Sequence, residues 1–133
     1  MTQEDKELLL KDLCARLPYE TKVYWANCNY GDKVKNLVSI DEFGMVNDEF
    51  PVEECKPFLR PMSSMTEEEK DYVVKHSLGY TANIGGGKKD EKLYFHFKAE
   101  TYDWLNKNMF DFRGLIPKGF AIKITKENNP YKD

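Results

Sequence analysis

Residues 55–69 read CKPFLRPMSSMTEEE, a segment that lies between a stretch of strand character and a stretch of helix character. Pro57 and Pro61 lack a backbone donor and favour extended geometry in the residue before each of them. The large apolar side chains of the segment are Phe58, Leu59, Met62 and Met65. Such a composition favours packing along a core. We therefore expect residues 55–65 to form an ordered, extended connection and not a free linker.

The last four residues of this segment, 66–69, have the pattern that begins a helix. The Thr66 hydroxyl is placed to accept a hydrogen bond from the first turn, and Glu69 is placed to reach back to the Thr66 backbone. This capping box predicts a helix that ends near His76 or Leu78, with Gly79 as its stop.

Another helix is predicted at the beginning of the chain. Thr2 is a suitable N-cap, and acidic residues follow it in the first turn. Apolar residues then recur at helical spacing until Pro18: Leu9, Leu10, Leu13, Cys14 and Leu17. The pattern predicts an amphipathic helix over residues 3–16, whose apolar stripe is covered by a sheet.

The region between these two helices has strand character. Residues 22–26 and 34–40 are rich in β-branched and aromatic side chains, and residues 29–32 between them have turn chemistry. Residues 45–50 indicate a short third strand. Together they predict a small antiparallel β-meander, with an SH3-like barrel as one form that it could take.

The C-terminal part adds two strands and a helix. Residues 92–97 and 120–125 have strand patterns, and residues 99–108 have helical spacing. Residues 126–133 are polar and predict a disordered tail. The fold class is therefore α+β over residues 1–125, as one domain with an N-terminal helix, the meander, two further helices and two C-terminal strands.

Composition and cysteine usage set the broad class. The chain has 133 residues, of which 41% are hydrophobic and 32% charged, which is typical of a globular domain. Cys14, Cys28 and Cys55 are an odd, widely spaced set, which favours reduced thiols over disulfides or a zinc site. The acidic N-terminus lacks a signal-peptide pattern, and the apolar runs are too short to span a membrane. We expect a cytoplasmic protein without membrane contact.

No pattern of residues reaches the specificity of a catalytic, cofactor or metal site. The glycines at 85–87 followed by Lys88 invite a phosphate-loop interpretation, but Ala82 stands where that motif needs glycine and Lys89 where it needs Ser or Thr. A flexible loop is the favoured interpretation. His76 and His96 have no partner at ligand spacing, so a metal site is not predicted. We expect no cofactor and no catalytic residues.

A binding surface is predicted from aromatic and basic residues. They are Tyr24, Trp25 and Tyr30 on or beside the meander and Lys88 and Lys89 in the glycine loop. Phe43 lies near the same strands. Strand alternation places Tyr24 and Trp25 on opposite faces, so only part of the set can be exposed together.

The charge is divided unevenly along the chain. Residues 1–69 hold 8 basic and 15 acidic groups, a net charge of −7, and residues 70–133 hold 12 and 8, a net charge of +4. A basic half favours phosphate backbones or acidic partners. The dispersed lysines and only three arginines favour an ordinary solvated surface.

Three blocks of the chain together carry a resemblance to a family of proteins. They are EDKELLLKDLCARLPY at residues 4–19, CKPFLRPMSSMTEEEK at residues 55–70, and YDWLN at 102–106 with FDFRGLI at 110–116. The chain resembles uncharacterised short proteins of gut bacteria, often encoded in prophages or other mobile elements. Members of that family often have histidines where this chain has Asn108 and Met109. The resemblance implies no activity, cofactor or catalytic residue.

Three classes of function stay open. The first is a non-enzymatic interaction or accessory module that binds an unknown protein partner through the meander or the glycine loop. The second is a small nucleic-acid-binding domain, whose affinity would fall steeply with added salt. The third is an enzyme with an unrecognised site, which would need a pocket with shifted titratable groups. The sequence does not predict the oligomeric state.

Overall fold

Helix α1 (Gln3–Arg16) begins where the sequence predicted it, because Thr2 forms a capping box with Asp5. The Thr2 hydroxyl accepts a hydrogen bond from the Asp5 N–H at 3.0 Å, and the Asp5 carboxylate accepts one from the Thr2 N–H at 3.3 Å. The structure is a computed structural model, and it describes residues 1–29, 31–76 and 99–131.

Helix α2 (Glu67–His76) starts with the capping box predicted from residues 66–69. The Glu69 N–H donates to the Thr66 hydroxyl at 3.2 Å, and the Thr66 N–H donates to the Glu69 carboxylate at 2.9 Å. Helix α3 (Ala99–Lys107) matches the helix predicted over residues 99–108. Leu78, Gly79 and the strand predicted at 92–97 lie outside the described residues.

Six short strands are described, and they form two sheets. In chain order they are β1 (Lys22–Trp25), β2 (Val34–Asn36), β3 (Met45–Val46), β4 (Phe50–Pro51), β5 (Cys55–Leu59) and β6 (Ile122–Lys123). The larger sheet has the order β2-β1-β5-β6, and β3 and β4 form a separate hairpin. Strand β1 is antiparallel to β2 and β5, whereas β6 runs parallel to β5. The fold is α+β, as the sequence predicted.

The extended segment that follows residue 54 is an interior strand of the sheet. Strand β5 pairs with β1 on one side, where Val23 lies opposite Pro57. On its other side β6 pairs only with Phe58 and Leu59. Pro57 has no N–H to donate. The β5–β6 pairing begins only at Phe58, so the missing N–H leaves no gap in it. The prediction of an ordered segment that packs along the core is confirmed. The sequence did not predict that this segment would be an interior strand.

The predicted three-stranded meander is wrong in its third strand. Asn47 and Asp48 have φ values of 56° and 59°, and this left-handed pair turns the chain back so that β3 pairs with β4. Asn and Asp tolerate this geometry better than most residues. The Asn47 side chain also accepts hydrogen bonds from the Val38 and Ser39 N–H groups. The hairpin thus contacts the connection between β2 and β3 through these hydrogen bonds and through one isolated bridge, Ile40 with Val46. The described strands do not confirm an SH3-like barrel.

Two apolar clusters fill the interior. Helix α1 contributes Leu9 and Leu13 to the first, where they meet Val23 and Leu59 of the sheet and Phe50 of the hairpin. The second cluster lies between α2 and α3 and holds Val73, Leu105 and Phe110. In the second cluster the rings of Tyr72, Trp104 and Phe110 stack in sequence, at centroid distances of 4.6 and 5.6 Å.

A buried ion network joins α1 to the segment after α3. Asp12 and Arg16 are both fully buried, and the carboxylate accepts two hydrogen bonds of 2.9 Å from the Arg16 guanidinium. Arg113 donates to the same carboxylate at 2.6 Å. Arg16 also donates to the backbone carbonyls of Asn106, at 3.2 Å, and Phe110, at 2.6 Å. Arg16 thereby caps the C-terminal end of α3, where unpaired carbonyls favour a cation.

The end of the described chain is anchored, where the sequence predicted a disordered tail over residues 126–133. The Tyr131 hydroxyl accepts a hydrogen bond from the Lys22 N–H at 2.9 Å and lies 3.0 Å from the Phe58 carbonyl oxygen, to which it donates. It therefore bridges β1 and β5. Burial raises the pKa of this hydroxyl to about 12. Polar composition predicted solvation here, but it could not show this contact.

Replacing Asp12 by Asn should destabilise the protein strongly, because two guanidinium groups lose their common counter-charge. We expect a loss of about 3–5 kcal/mol in the free energy of unfolding, measured with urea. The control is Glu67→Gln, which removes one partner of the exposed pair with Lys70 and should leave the urea midpoint unchanged. Equal effects of the two substitutions would contradict the role assigned to Asp12.

Tyr131→Phe should destabilise the protein by about 1–3 kcal/mol, because two backbone groups of the sheet lose their partner. The control is Tyr19→Phe, since the Tyr19 hydroxyl has no hydrogen bond among the described residues. Thermal unfolding of the three proteins measures the difference. A Tyr131→Phe variant as stable as the wild type would mean that the tail is not anchored through its hydroxyl.

Candidate functional site

The two described members of the predicted binding surface are already packed. Trp25 stacks on Phe50 at 4.5 Å between centroids, and its indole N–H donates to Glu54 at 2.7 Å. Tyr24 stands edge-on to Phe58 at 6.3 Å, on the other face of the sheet. Neither ring is exposed as a stacking platform. The other three predicted residues, Tyr30, Lys88 and Lys89, lie outside the described residues.

All three arginines are engaged inside the fold. Arg16 and Arg113 are bound to Asp12. Arg60 makes a two-pronged contact with the Glu69 carboxylate at 2.8 and 3.0 Å, and its guanidinium lies 4.1 Å from the Phe110 ring centre. The residue type best suited to phosphate recognition is therefore used structurally. The nucleic-acid hypothesis depends on lysines alone.

The clearly shifted pKa values of the described chain are caused by burial or by hydrogen bonds within the fold. Burial raises the pKa of the Cys55 thiol to about 12, which suppresses the thiolate. The pKa values of Asp5, Glu53, Glu54 and Glu69 are all lowered, chiefly by hydrogen bonds to their carboxylates. A carboxyl whose pKa is lowered stays ionised at neutral pH and is a poor general acid.

His76 is the one histidine among the described residues, and it has a packing role. His76 stacks on Tyr72 at 4.0 Å, and its Nδ1 lies 2.8 Å from the Tyr72 carbonyl oxygen. This histidine therefore packs at the end of α2, whereas His96 lies outside the described residues. Over residues 1–29, 31–76 and 99–131, no group of three His, Cys, Asp or Glu side chains could hold a metal ion.

Phe43 is the most exposed large apolar side chain among the described residues, at 78%. It lies in a tight turn that one carboxylate organises, since Asp41 Oδ1 accepts hydrogen bonds of 2.9 Å from the N–H groups of both Phe43 and Met45. The Gly44 N–H closes the turn on the Asp41 carbonyl at 3.0 Å, and Gly44 has a φ of 81° that suits glycine. The turn therefore presents the ring to solvent on an ordered backbone.

A shallow groove of about 470 Å³ lies between α1 and this turn. We name it the α1 groove, and it is lined by Glu7, Leu10, Lys11, Cys14, Ile40, Asp41 and Glu42. Its apolar side chains come from both walls, and its charged residues are three carboxylates and one lysine. Phe43 follows directly on the last lining residue. The α1 groove therefore combines apolar side chains with an acidic border, and the exposed Phe43 follows it in the same turn.

Sequence reasoning placed Phe43 near the strands but gave no reason to rank it above Tyr24 or Trp25. The signal was present in the pattern Asp41-Glu42-Phe43-Gly44, which is typical of a turn. The α1 groove was not predicted, because Leu10 and Cys14 were counted in the covered stripe of α1. In the structure Leu10 is half-buried and Cys14 is exposed.

Comparison of the chain with models of protein families, with curated proteins and with solved structures found no match. Among the described helices, none combines the length and the apolar character needed to cross a membrane.

Thiol labelling should distinguish the three cysteines. Cys14 is exposed, whereas Cys28 and Cys55 are buried. We expect one thiol to react rapidly with Ellman's reagent in the native protein and three after denaturation. Cys14→Ser should remove the fast reaction. A fast reaction at Cys55 would contradict its raised pKa.

Proposed function

We propose that the protein is a non-enzymatic interaction module that binds a basic, apolar segment of a protein partner in the α1 groove, with Phe43 as the central contact. The observation that carries the proposal is the 78% exposure of Phe43 on a hydrogen-bonded turn beside an apolar groove. The resemblance to short proteins of mobile elements suits an accessory role of this kind.

The energetics of Phe43 favour a docking role. Covering an exposed phenylalanine side chain contributes about 1.5–3 kcal/mol. Because Asp41 and Gly44 already fix the turn, little further backbone ordering is needed on binding. Aromatic side chains on ordered backbone are common centres of binding energy in interfaces. Val38, 72% exposed and only five residues earlier in the chain, adds a second apolar side chain to the same connection.

The charge around the groove indicates the chemistry of the partner. Glu7, Asp41 and Glu42 border it, opposed by Lys11 alone. The surrounding N-terminal half carries the net charge of −7. A border of this sign attracts Lys and Arg side chains and repels phosphate. The groove therefore supports a basic peptide segment over a nucleic acid.

The proposal can be tested by placing a photo-crosslinking phenylalanine analogue at position 43, and for comparison at position 74, in the native host. Val74 is a suitable comparison because it is 64% exposed and lies on α2, away from the groove. After nuclease treatment, we expect one protein to be crosslinked from position 43 and not from position 74. Its crosslinked peptide should contain basic and apolar residues.

Binding of that purified partner should then depend on Phe43 and on the acidic border. Phe43→Glu should weaken the affinity at least about tenfold, and Val74→Glu should leave it unchanged. Glu42→Lys should weaken binding at low salt more than at high salt. No crosslink specific to position 43, a nucleic acid in its place, or equal affinities for the two Glu variants would overturn the proposal.

A further inference from the structure

A second concavity, larger than the α1 groove, lies away from it. It has a volume of about 630 Å³ and is formed where the turn after α1, the end of α3 and the anchored tail meet. We name it the tail cleft; it is lined among others by Tyr19, Glu20, Lys22, Lys107, Met109 and Tyr131. Sites for small molecules commonly measure about 300–1,000 Å³. The size therefore suits a small organic molecule.

The charged groups of the tail cleft are mostly cationic. Arg60 reaches it but is already paired with Glu69. Lys22 Nζ donates one hydrogen bond to Asn36, at 2.5 Å, which leaves two of its three N–H groups. Lys107 has no hydrogen bond or ion pair within the described part of the chain. Glu20 is the one carboxylate among the lining residues.

About half of the tail cleft's lining is apolar, and part of that half is aromatic. Tyr19, Met109, Ile124 and Tyr131 line it, together with two prolines. The Tyr131 ring cannot move aside freely, because its hydroxyl is hydrogen-bonded to Lys22 and Phe58 of the sheet. A flat or aliphatic body can therefore be covered by these walls while the lysines stay accessible to a negative group.

Two residues of the cleft hold a backbone conformation that is unfavourable for side chains with a Cβ atom. Glu20 and Met109 have φ values of 57° and 63°, in the left-handed region. Met109 is held by hydrogen bonds of its carbonyl to Arg60 and of its N–H to Asn106, at 2.7 and 3.1 Å. At Met109 this conformation ends α3, since the following N–H, that of Phe110, donates to the Leu105 carbonyl at 2.9 Å, and it places Met109 in the wall of the cleft.

We propose that the tail cleft binds a small organic anion, one carboxylate or phosphate group attached to a flat apolar body. Lys107 and Lys22 bind the negative group, and the Tyr19 and Met109 side chains contact the body. The proposal is independent of the α1 groove, which has the opposite charge and a different set of residues.

An amide NMR titration with four probes distinguishes the contribution of the ligand's negative group from that of its apolar body. The probes are benzoate, phenyl phosphate, benzylamine and inorganic phosphate. We expect benzoate or phenyl phosphate to shift the amide signals of Lys107, Asn108 and Tyr131, with the stronger of the two identifying the anion. Benzylamine should produce no such shifts. Inorganic phosphate should bind at least about tenfold more weakly than phenyl phosphate, because it has no apolar body.

Charge-reversed variants locate the site. Lys107→Glu and Lys22→Glu should each raise the dissociation constant of the better probe at least about tenfold. Lys118→Glu is the matched control, since Lys118 is exposed and outside the cleft, and it should bind as the wild type does. An unchanged amide spectrum elsewhere verifies that each variant is folded. Absence of shifts with both anions, equal binding of benzylamine, or equal affinities for Lys107→Glu and Lys118→Glu would overturn the proposal.

Discussion

The buried carboxylate of Asp12 is the interaction on which the arrangement of the helices depends. It is completely removed from solvent and accepts hydrogen bonds from two guanidinium groups, one of its own helix and one 101 residues later in the chain. Removing ions from water is costly, and the cost is offset only when every donor and acceptor has a partner. The described chain meets this condition, since none of its buried side-chain nitrogen or oxygen atoms lacks a hydrogen bond.

This network fixes which faces of the molecule stay free. Because Asp12, Leu9 and Leu13 of α1 face the interior, Glu7, Leu10 and Cys14 of the same helix form one wall of the α1 groove. The network also holds the segment after α3, through the carbonyls of Asn106 and Phe110 that Arg16 binds. Met109 lies between those two residues, so its strained backbone at the tail cleft is held from both sides.

Local parts of this structure were predictable and long-range parts were not. The capping boxes at Thr2 and Thr66 involve residues three apart, so their sequence pattern contains all the interacting groups. The parallel pairing of β5 with β6 joins residues more than sixty apart, and no local pattern encodes it. The same holds for Arg113 with Asp12. Aromatic composition placed Trp25 in the predicted binding surface and Phe43 only near it, but exposure is decided by tertiary packing, which stacks the Trp25 ring on Phe50 and leaves the Phe43 ring in solvent.

A double-mutant cycle between Asp12 and Arg113 tests most directly whether this network organises the fold. The free energy of unfolding would be measured in urea for the wild type, Asp12→Asn, Arg113→Gln and the double variant. If the two side chains form one buried unit, the effects will be strongly non-additive, with a coupling energy of about 1–3 kcal/mol. Additive effects within about 0.3 kcal/mol would show that Asp12 and Arg113 act separately and would contradict the account.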